Sequence, residues 1–172
     1  AAMLGEGTEK LTTEEFSMEL DKLGSRISFN SGTMGSTVFV SSLAKNVDET
    51  LALLKDALFA PRFDPSDFKR IKKQVLEGLK SQKNNPGVMA SKAWNKIVFE
   101  GTILEEYYYG DYKSLSKLDL EDIKSFYTSY YSPNISTLIV SGDITQADAM
   151  SKLAFLKDWE NKQVIVPAVP EL

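Results

Sequence analysis

The side chains available for acid–base or ligand chemistry are carboxylates, amines, guanidinium groups, phenols and hydroxyls, because the 172 residues include no histidine and no cysteine. That absence removes a Ser-His-Asp triad, imidazole and thiolate zinc ligands, disulfides and cysteine nucleophiles. What remains falls into a few clusters. Lys69, Arg70, Lys72 and Lys73 could hold an anion, yet they surround Ile71 in the manner of a solvated helix face. Tyr107, Tyr108, Tyr109 and Tyr112 could stack on a peptide or sugar. A loop folded over the core with phenol oxygens at its rim is the commoner explanation for such a run. Glu105-Glu106 and Asp119-Leu120-Glu121-Asp122 could offer carboxylates to a cation. Neither has calcium-loop spacing, and the second group reads as a helix cap. Asn134-Ile135-Ser136 fits a glycosylation acceptor but runs straight into a strand pattern. No glycine-rich phosphate cradle occurs. By its chemistry alone, this is a domain without an active site.

The composition agrees with a globular chain and little more. Twenty Lys+Arg stand against 24 Asp+Glu, giving a net charge of −4, with 42% hydrophobic and 26% charged residues. With a pI near 5.0 and no basic block, a nucleic-acid partner is not expected. No apolar run approaches the roughly 18 residues of a membrane span. The opening Ala1-Ala2-Met3-Leu4 has neither initiator Met nor signal-peptide pattern, which reads as a mature or excised fragment.

The elements that must position these groups are legible from their boundaries. Thr12 and Glu15 form a capping box ahead of Phe16, Leu20 and Leu23, and Gly24 stops that helix. Residues 27–30 and 37–40 flank Gly32-Thr33-Met34-Gly35 as a hairpin. Asn46 can cap a helix carrying Val47, Leu51, Leu54 and Leu58, which ends at Pro61. Asp64-Pro65-Ser66-Asp67 opens a helix that buries Phe68, Ile71, Val75 and Leu79. Asn84-Asn85-Pro86-Gly87 breaks it, and a further helix runs through Trp94 to Phe99. Asp119 opens the next, with Ile123, Phe126, Tyr127 and Tyr130 inward, stopped by Ser132-Pro133. Residues 135–141 read as a strand, and Thr145 caps a final helix to Trp159. The expected fold is α+β, an antiparallel or mixed sheet packed by helices, as one domain over 1–160 with 161–172 as linker or tail. So few strands leave much apolar helix face uncovered, so strand partners are expected from residues before Ala1 or from another chain.

The order and spacing of several phrases resemble the pitrilysin family of zinc metallopeptidases, which includes insulin-degrading and mitochondrial processing peptidases and their inactive relatives. The phrases are Met3-Leu4-Gly5-Glu6-Gly7-Thr8, Leu20 to Ser25, Leu53-Leu54 to Pro65, Asn85-Pro86, Leu118 to Phe126, Tyr131 to Asn134, and Val140-Ser141-Gly142-Asp143. They run from residue 3 to residue 143, and the resemblance covers about residues 3 to 160. In active members an H-x-x-E-H motif precedes the phrase matching Met3-Leu4, and a later helix supplies a third ligand, a glutamate. The resemblance sets the motif's glutamate at Ala1, its second histidine at Ala2, and the later ligand at Gly78. Glu77 lies about 100° away around the helix and does not substitute. A second acidic position of the family falls at Ile71.

The resemblance therefore implies a degenerate, zinc-free domain of a bacterial peptidase, inactive as a catalyst on its own, whose sheet lacks its first strands. Zinc belongs to a catalytic domain or subunit that is its expected partner, and the two enclose a peptide substrate. The segment matching the family's peptide-receiving edge is Ile27, Ser28, Phe29, Asn30 and Ser31. The family prefers Asn-Ala where Ser28-Phe29 stands, which weakens strand addition here, although main-chain hydrogen bonds remain on offer. The alternative is a structural or assembly subunit without a proteolytic role. A third reading, an active peptidase using carboxylates alone, would favour magnesium, calcium or manganese, and no suitable acid cluster is visible. An open sheet edge implies self-association. The expected compartment is the periplasm, with the cytoplasm as alternative.

Overall fold

A computed structural model describes residues 1–33, 35–102, 104–105 and 110–166. Its first half is built on local signals that close on one another. In helix α1 (Thr13–Leu23), Thr12 N donates to Glu15 Oε2 at 2.8 Å and Glu15 N to Thr12 Oγ1 at 3.3 Å. Gly24 ends the helix in the left-handed region, φ 59°, where its N–H and that of Ser25 return to Asp21 O and Leu20 O. The chain then forms β1 (Arg26–Gly32) and β2 (Gly35–Ser41), antiparallel, with Arg26 opposite Ser41 and Gly32 opposite Gly35. Helix α2 (Val47–Phe59) packs behind them. Phe16, Leu20, Ile27, Leu54, Ala57 and Leu58 make the buried core that these elements share.

A hydroxyl cluster fixes how the hairpin meets α2. Thr50, fully buried, lies 2.7 Å from Ser25 Oγ and 2.9 Å from Ser42 Oγ, and donates to Asn46 O at 2.8 Å. Asn46 itself does not cap α2, as its spacing had promised. Its side-chain amide reaches Leu23 O at 2.6 Å, satisfying a carbonyl at the end of α1.

Helix α3 (Pro65–Gln82) starts on Asp64, whose carboxylate accepts from Ser66 N and Asp67 N at 2.8 and 3.3 Å. It buries Leu79 and half-buries Phe68, Ile71 and Val75. Helix α4 (Pro86–Val98) is capped by Asn85 and buries no residue. Asp111 then opens a short helix, α5 (Tyr112–Lys117), so Tyr112, expected in a loop, begins a helix. Helix α6 (Leu120–Tyr130) carries the reciprocal Asp119–Asp122 box, both bonds at 2.9 Å.

The expectations fail mainly in the second half. Ile123 and Tyr127 are half-buried, but Phe126 and Tyr130 are exposed and stack on each other at 4.8 Å between ring centroids. Residues 135–141 form no strand. Pro133–Ile135 is a 3-10 turn, and the main chain of 137–141 pairs with nothing among the described residues. The reason is elementary: a strand exists only through its neighbours. The last helix is also shorter than expected. Helix α7 (Gln146–Lys152) stops at Leu153 and a 3-10 turn, Ala154–Asp158, follows. The fold is α+β, with one two-stranded antiparallel sheet among the described residues. Met34 at the hairpin tip and residues 167–172 of the expected tail lie outside the described residues.

Candidate functional site

The positions that the resemblance assigns to catalysis sit on elements that pack together. Ala2–Gly5 forms a 3-10 turn whose Met3 and Leu4 are buried, Leu4 to 2% exposure. That turn rests against α3, β1 and α2. Its neighbour α3 carries Gly78 on an exposed face, where an added Cβ would meet nothing within 4 Å. Packing therefore does not demand glycine there. Glu77 is exposed and pairs with Lys73 at 3.9 Å, while Ile71 is half-buried.

These residues do not fit a zinc ion. Ala1, Ala2 and Gly78 offer no donor side chain, the sequence has no histidine or cysteine, and no metal-holding group of three acids stands together among the described residues. Zinc in this family belongs to its catalytic domain.

The same corner holds a set of charges that sequence reasoning missed. Arg70 pairs with Glu6 on the turn and lies 3.3 Å from Asp67. Arg62 reaches Asp64 at 3.3 Å and Asp67 at 3.5 Å. Thr13 Oγ1 donates to Glu6 O at 3.0 Å and stands 3.3 Å from the carboxylates of both Glu6 and Asp67. The hydrogen bond to Asp67, then the charge of Glu6, raise the Arg70 pKa above its ordinary value. Hydrogen bonds from Ser66 lower that of Asp64. Glu6, Thr13, Arg62, Asp67 and Arg70 line an open cleft of about 520 Å³. Each charge is answered by another, so the arrangement fastens the turn and α1 to α3. The Asp67–Arg70 spacing signals half of it. The Glu6–Arg70 contact, bridging 64 positions, leaves no local trace.

The basic cluster divides accordingly. Arg70 is committed to that network, and Lys72 Nζ donates to Ser116 O at 2.8 Å and Leu118 O at 2.5 Å, at the end of α5. The picture of four cations facing water thus holds for Lys69, whereas Lys73 leans on Glu77. Asp119 and Asp122 are spent on capping, and Glu121 pairs with Lys124 at 2.8 Å. Glu105 accepts from Gly101 N at 2.8 Å, closing its loop. Asn134 Oδ1 accepts from the buried Ser132 hydroxyl at 2.6 Å. Glu106 and Tyr107, Tyr108 and Tyr109 lie outside the described residues, and Tyr112 places its ring 5.1 Å below Lys80 Nζ.

The segment Ile27 to Ser31 is the central part of β1. Ile27 is buried, Ser28 and Phe29 are half-buried, and Asn30 and Ser31 are exposed. Its ladder runs to β2 alone among the described residues, so one edge carries main-chain groups without a strand partner.

Comparison with known proteins bears on the whole chain. The profile of the insulinase family (Peptidase family M16) matches residues 2–110, and that of the Peptidase M16 inactive domain matches residues 117–172. A Helicobacter pylori protein named non-peptidase homolog YmxG is 23% identical over 89% of the chain, which spans 35% of that relative. A Bacillus subtilis protein named uncharacterized zinc protease YmxG is 21% identical over 92%, and the chain spans 37% of it. A crystal structure of a peptidase M16 inactive domain from Pseudomonas fluorescens superposes with a TM-score of 0.87 at 24% identity, over 98% of this chain and 42% of that one. The periplasmic protease PqqL from Escherichia coli superposes at 0.81 and 18% identity, over 98% and 20%. The chain thus spans little more than a third of the curated relatives it matches. The inactive-domain match and the non-peptidase relative support a non-catalytic member. By the match over residues 2–110, this chain belongs to the insulinase family, peptidase family M16.

Proposed function

We propose that this chain is a zinc-free part of a bacterial M16 peptidase that encloses and positions an extended peptide while a zinc-bearing domain or subunit performs the cleavage. The observation that carries the reading is the retained packing of the turn Ala2–Gly5 on α3, with Ala1, Ala2 and Gly78 at the positions the resemblance assigns to catalysis. The unpaired edge of β1, at Ile27 to Ser31, supports a peptide-contacting role, because an extended peptide can complete its main-chain hydrogen bonds there. Residues 1–160 act as the unit and 161–172 as its tail or linker in this proposal. A periplasmic location is proposed from the relative PqqL, which is named as periplasmic. Self-association through an open strand is the remaining partner proposed.

The test is hydrolysis of a quenched fluorescent peptide mixture in excess zinc, by this chain, by a zinc-motif half and by both together. Activity appearing only on mixing is the expected result. Association without any gain in activity would assign the chain a structural role, and activity of this chain alone would defeat the assignment of Ala1, Ala2 and Gly78.

A further inference from the structure

Among the described residues, Phe63 is the one other than glycine whose backbone lies in the left-handed region, at φ 44°. Its Cβ is crowded there, and an aromatic residue at positive φ is an outlier that lasts only where its surroundings over-determine it. Here they do so from both sides. Ahead of it, Pro61 forms an antiparallel bridge with Thr8, Glu9 N donates to Ala60 O at 2.9 Å, and Arg62 N donates to Gly7 O at 3.4 Å. After it, Pro65 at the first position of α3 keeps Asp64 extended, φ −71° and ψ 134°. The Arg62 guanidinium reaches across to Asp64 and Asp67. The change of direction between the end of α2 and the start of α3 therefore falls on Phe63.

Tyr127 of α6 holds this bend at two points. Its ring meets that of Phe63 edge to face, with centroids 5.4 Å apart and planes at 65°. Its hydroxyl donates to Leu58 O in the last turn of α2, and Leu58 is buried in the core. Tyr131, one turn further along the chain, lies against Tyr127 at 5.4 Å between centroids. We propose that Phe63 is a strained joint latched by Tyr127, so that the seating of α6 sets the direction of α3. With the latch withdrawn, Phe63 relaxes to an ordinary φ near −65°, a rotation of about 110° about one bond. Helix α3 cannot then keep its place on the turn Ala2–Gly5, and the Glu6–Arg70 pair that fastens the two must open. Gly78, about 20 Å along α3 from its first residue, moves with the helix. This device goes beyond the peptide-enclosing role and does not require it.

A positive φ brings the amide proton of a residue close to its own Hα, so nuclear Overhauser effects read the joint directly. In the isotope-labelled native chain, Phe63 should give a strong effect between these two protons. Tyr127→Ala should weaken it several-fold and shift the amide resonances of Arg70 and Gly78. Tyr127→Phe keeps the ring and loses the bond to Leu58 O, so it should do the same in part. It carries the measurement if Tyr127→Ala does not fold. Phe63→Gly removes the strain, and on that background Tyr127→Ala should leave Arg70 and Gly78 where they were. Thr50→Val lowers stability at the other end of α2 and should leave the Phe63 signal unchanged, which separates the latch from a general loss of stability. A weak effect in the native chain would overturn the proposal. A strong one retained in both Tyr127 variants would do so too, because it would give the bend to Arg62 and Pro65 alone. So would a weakened effect at Phe63 with Arg70 and Gly78 unmoved. The hydrolysis assay reads none of these signals, so either proposal can fail alone.

Discussion

Residues up to Leu79 and residues beyond Asn84 have equally clear amphipathic patterns but very different burial. The first region supplies Met3, Leu4, Phe16, Leu20, Ile27, Leu54, Ala57, Leu58 and Leu79 to the interior. From the second, Ala149 and Ser132 are the deeply buried residues among those described, whereas Trp94, Ile97, Phe126, Leu138, Ile139 and Met150 are exposed. An apolar stripe states that a face will be covered. It does not state by what. In the first region the covering elements lie within the same eighty or so positions; in the second they are not among the described residues.

Packing substitutions should separate the two regions most widely. Leu58→Ala, at a core position 4% exposed, should cost about 3 kcal/mol by urea unfolding, while Trp94→Ala, 65% exposed, should stay within about 0.5 kcal/mol. Equal losses would show that α4 is covered in solution. Next in size is Thr50→Val, which leaves Ser25 and Ser42 without their shared hydroxyl and should cost about 1–3 kcal/mol in the same measurement. Caps act locally, so they should blur the comparison. Thr12→Ala and Asp119→Ala each remove one capping box and should each lower stability by about 1 kcal/mol. Gly78→Ala should raise it by roughly 0.5–1 kcal/mol, because an exposed helical position with open space gains only helix propensity.

Acidification should act on both regions through their helix starts. Backbone hydrogen bonding, led by Thr12, lowers the Glu15 pKa, and the side-chain bond from Ser66 leads the lowering at Asp64; Ser114 N does the same for Asp111. In each case the unfolded chain takes up the proton first. Their stabilisation is therefore complete above the ordinary carboxylate values of 4.5 and 3.8 and is lost as pH falls through the lower folded ones. Thermal melts between about pH 5 and pH 2 would show the loss.

Much of the fold was legible because its signals are short-range. Thr12 to Glu15, Asp64 to Asp67 and Asp119 to Asp122 announce helices within four residues, and Gly24 announces an end. The failures are long-range. Asn46 looked like a cap because sequence cannot show that Leu23 O lies nearer. Residues 135–141 looked like a strand because their side chains have the right types, yet ladder partners are a property of other segments. At the candidate site, Ala1, Ala2 and Gly78 were found through ordered resemblance, whereas the Glu6–Arg70–Asp67 network needed coordinates.

Lys72 ties these scales together. Helix α5 has six residues, too few to hold its own hydrogen bonds against water. Its terminal carbonyls borrow their donor from α3, since Lys72 serves both Ser116 O and Leu118 O. The amide protons of α5 should accordingly exchange with solvent on a clock set by this lysine: acetylation of its amine, which removes the charge and two of its donors, would let them exchange at nearly the rate of an open loop.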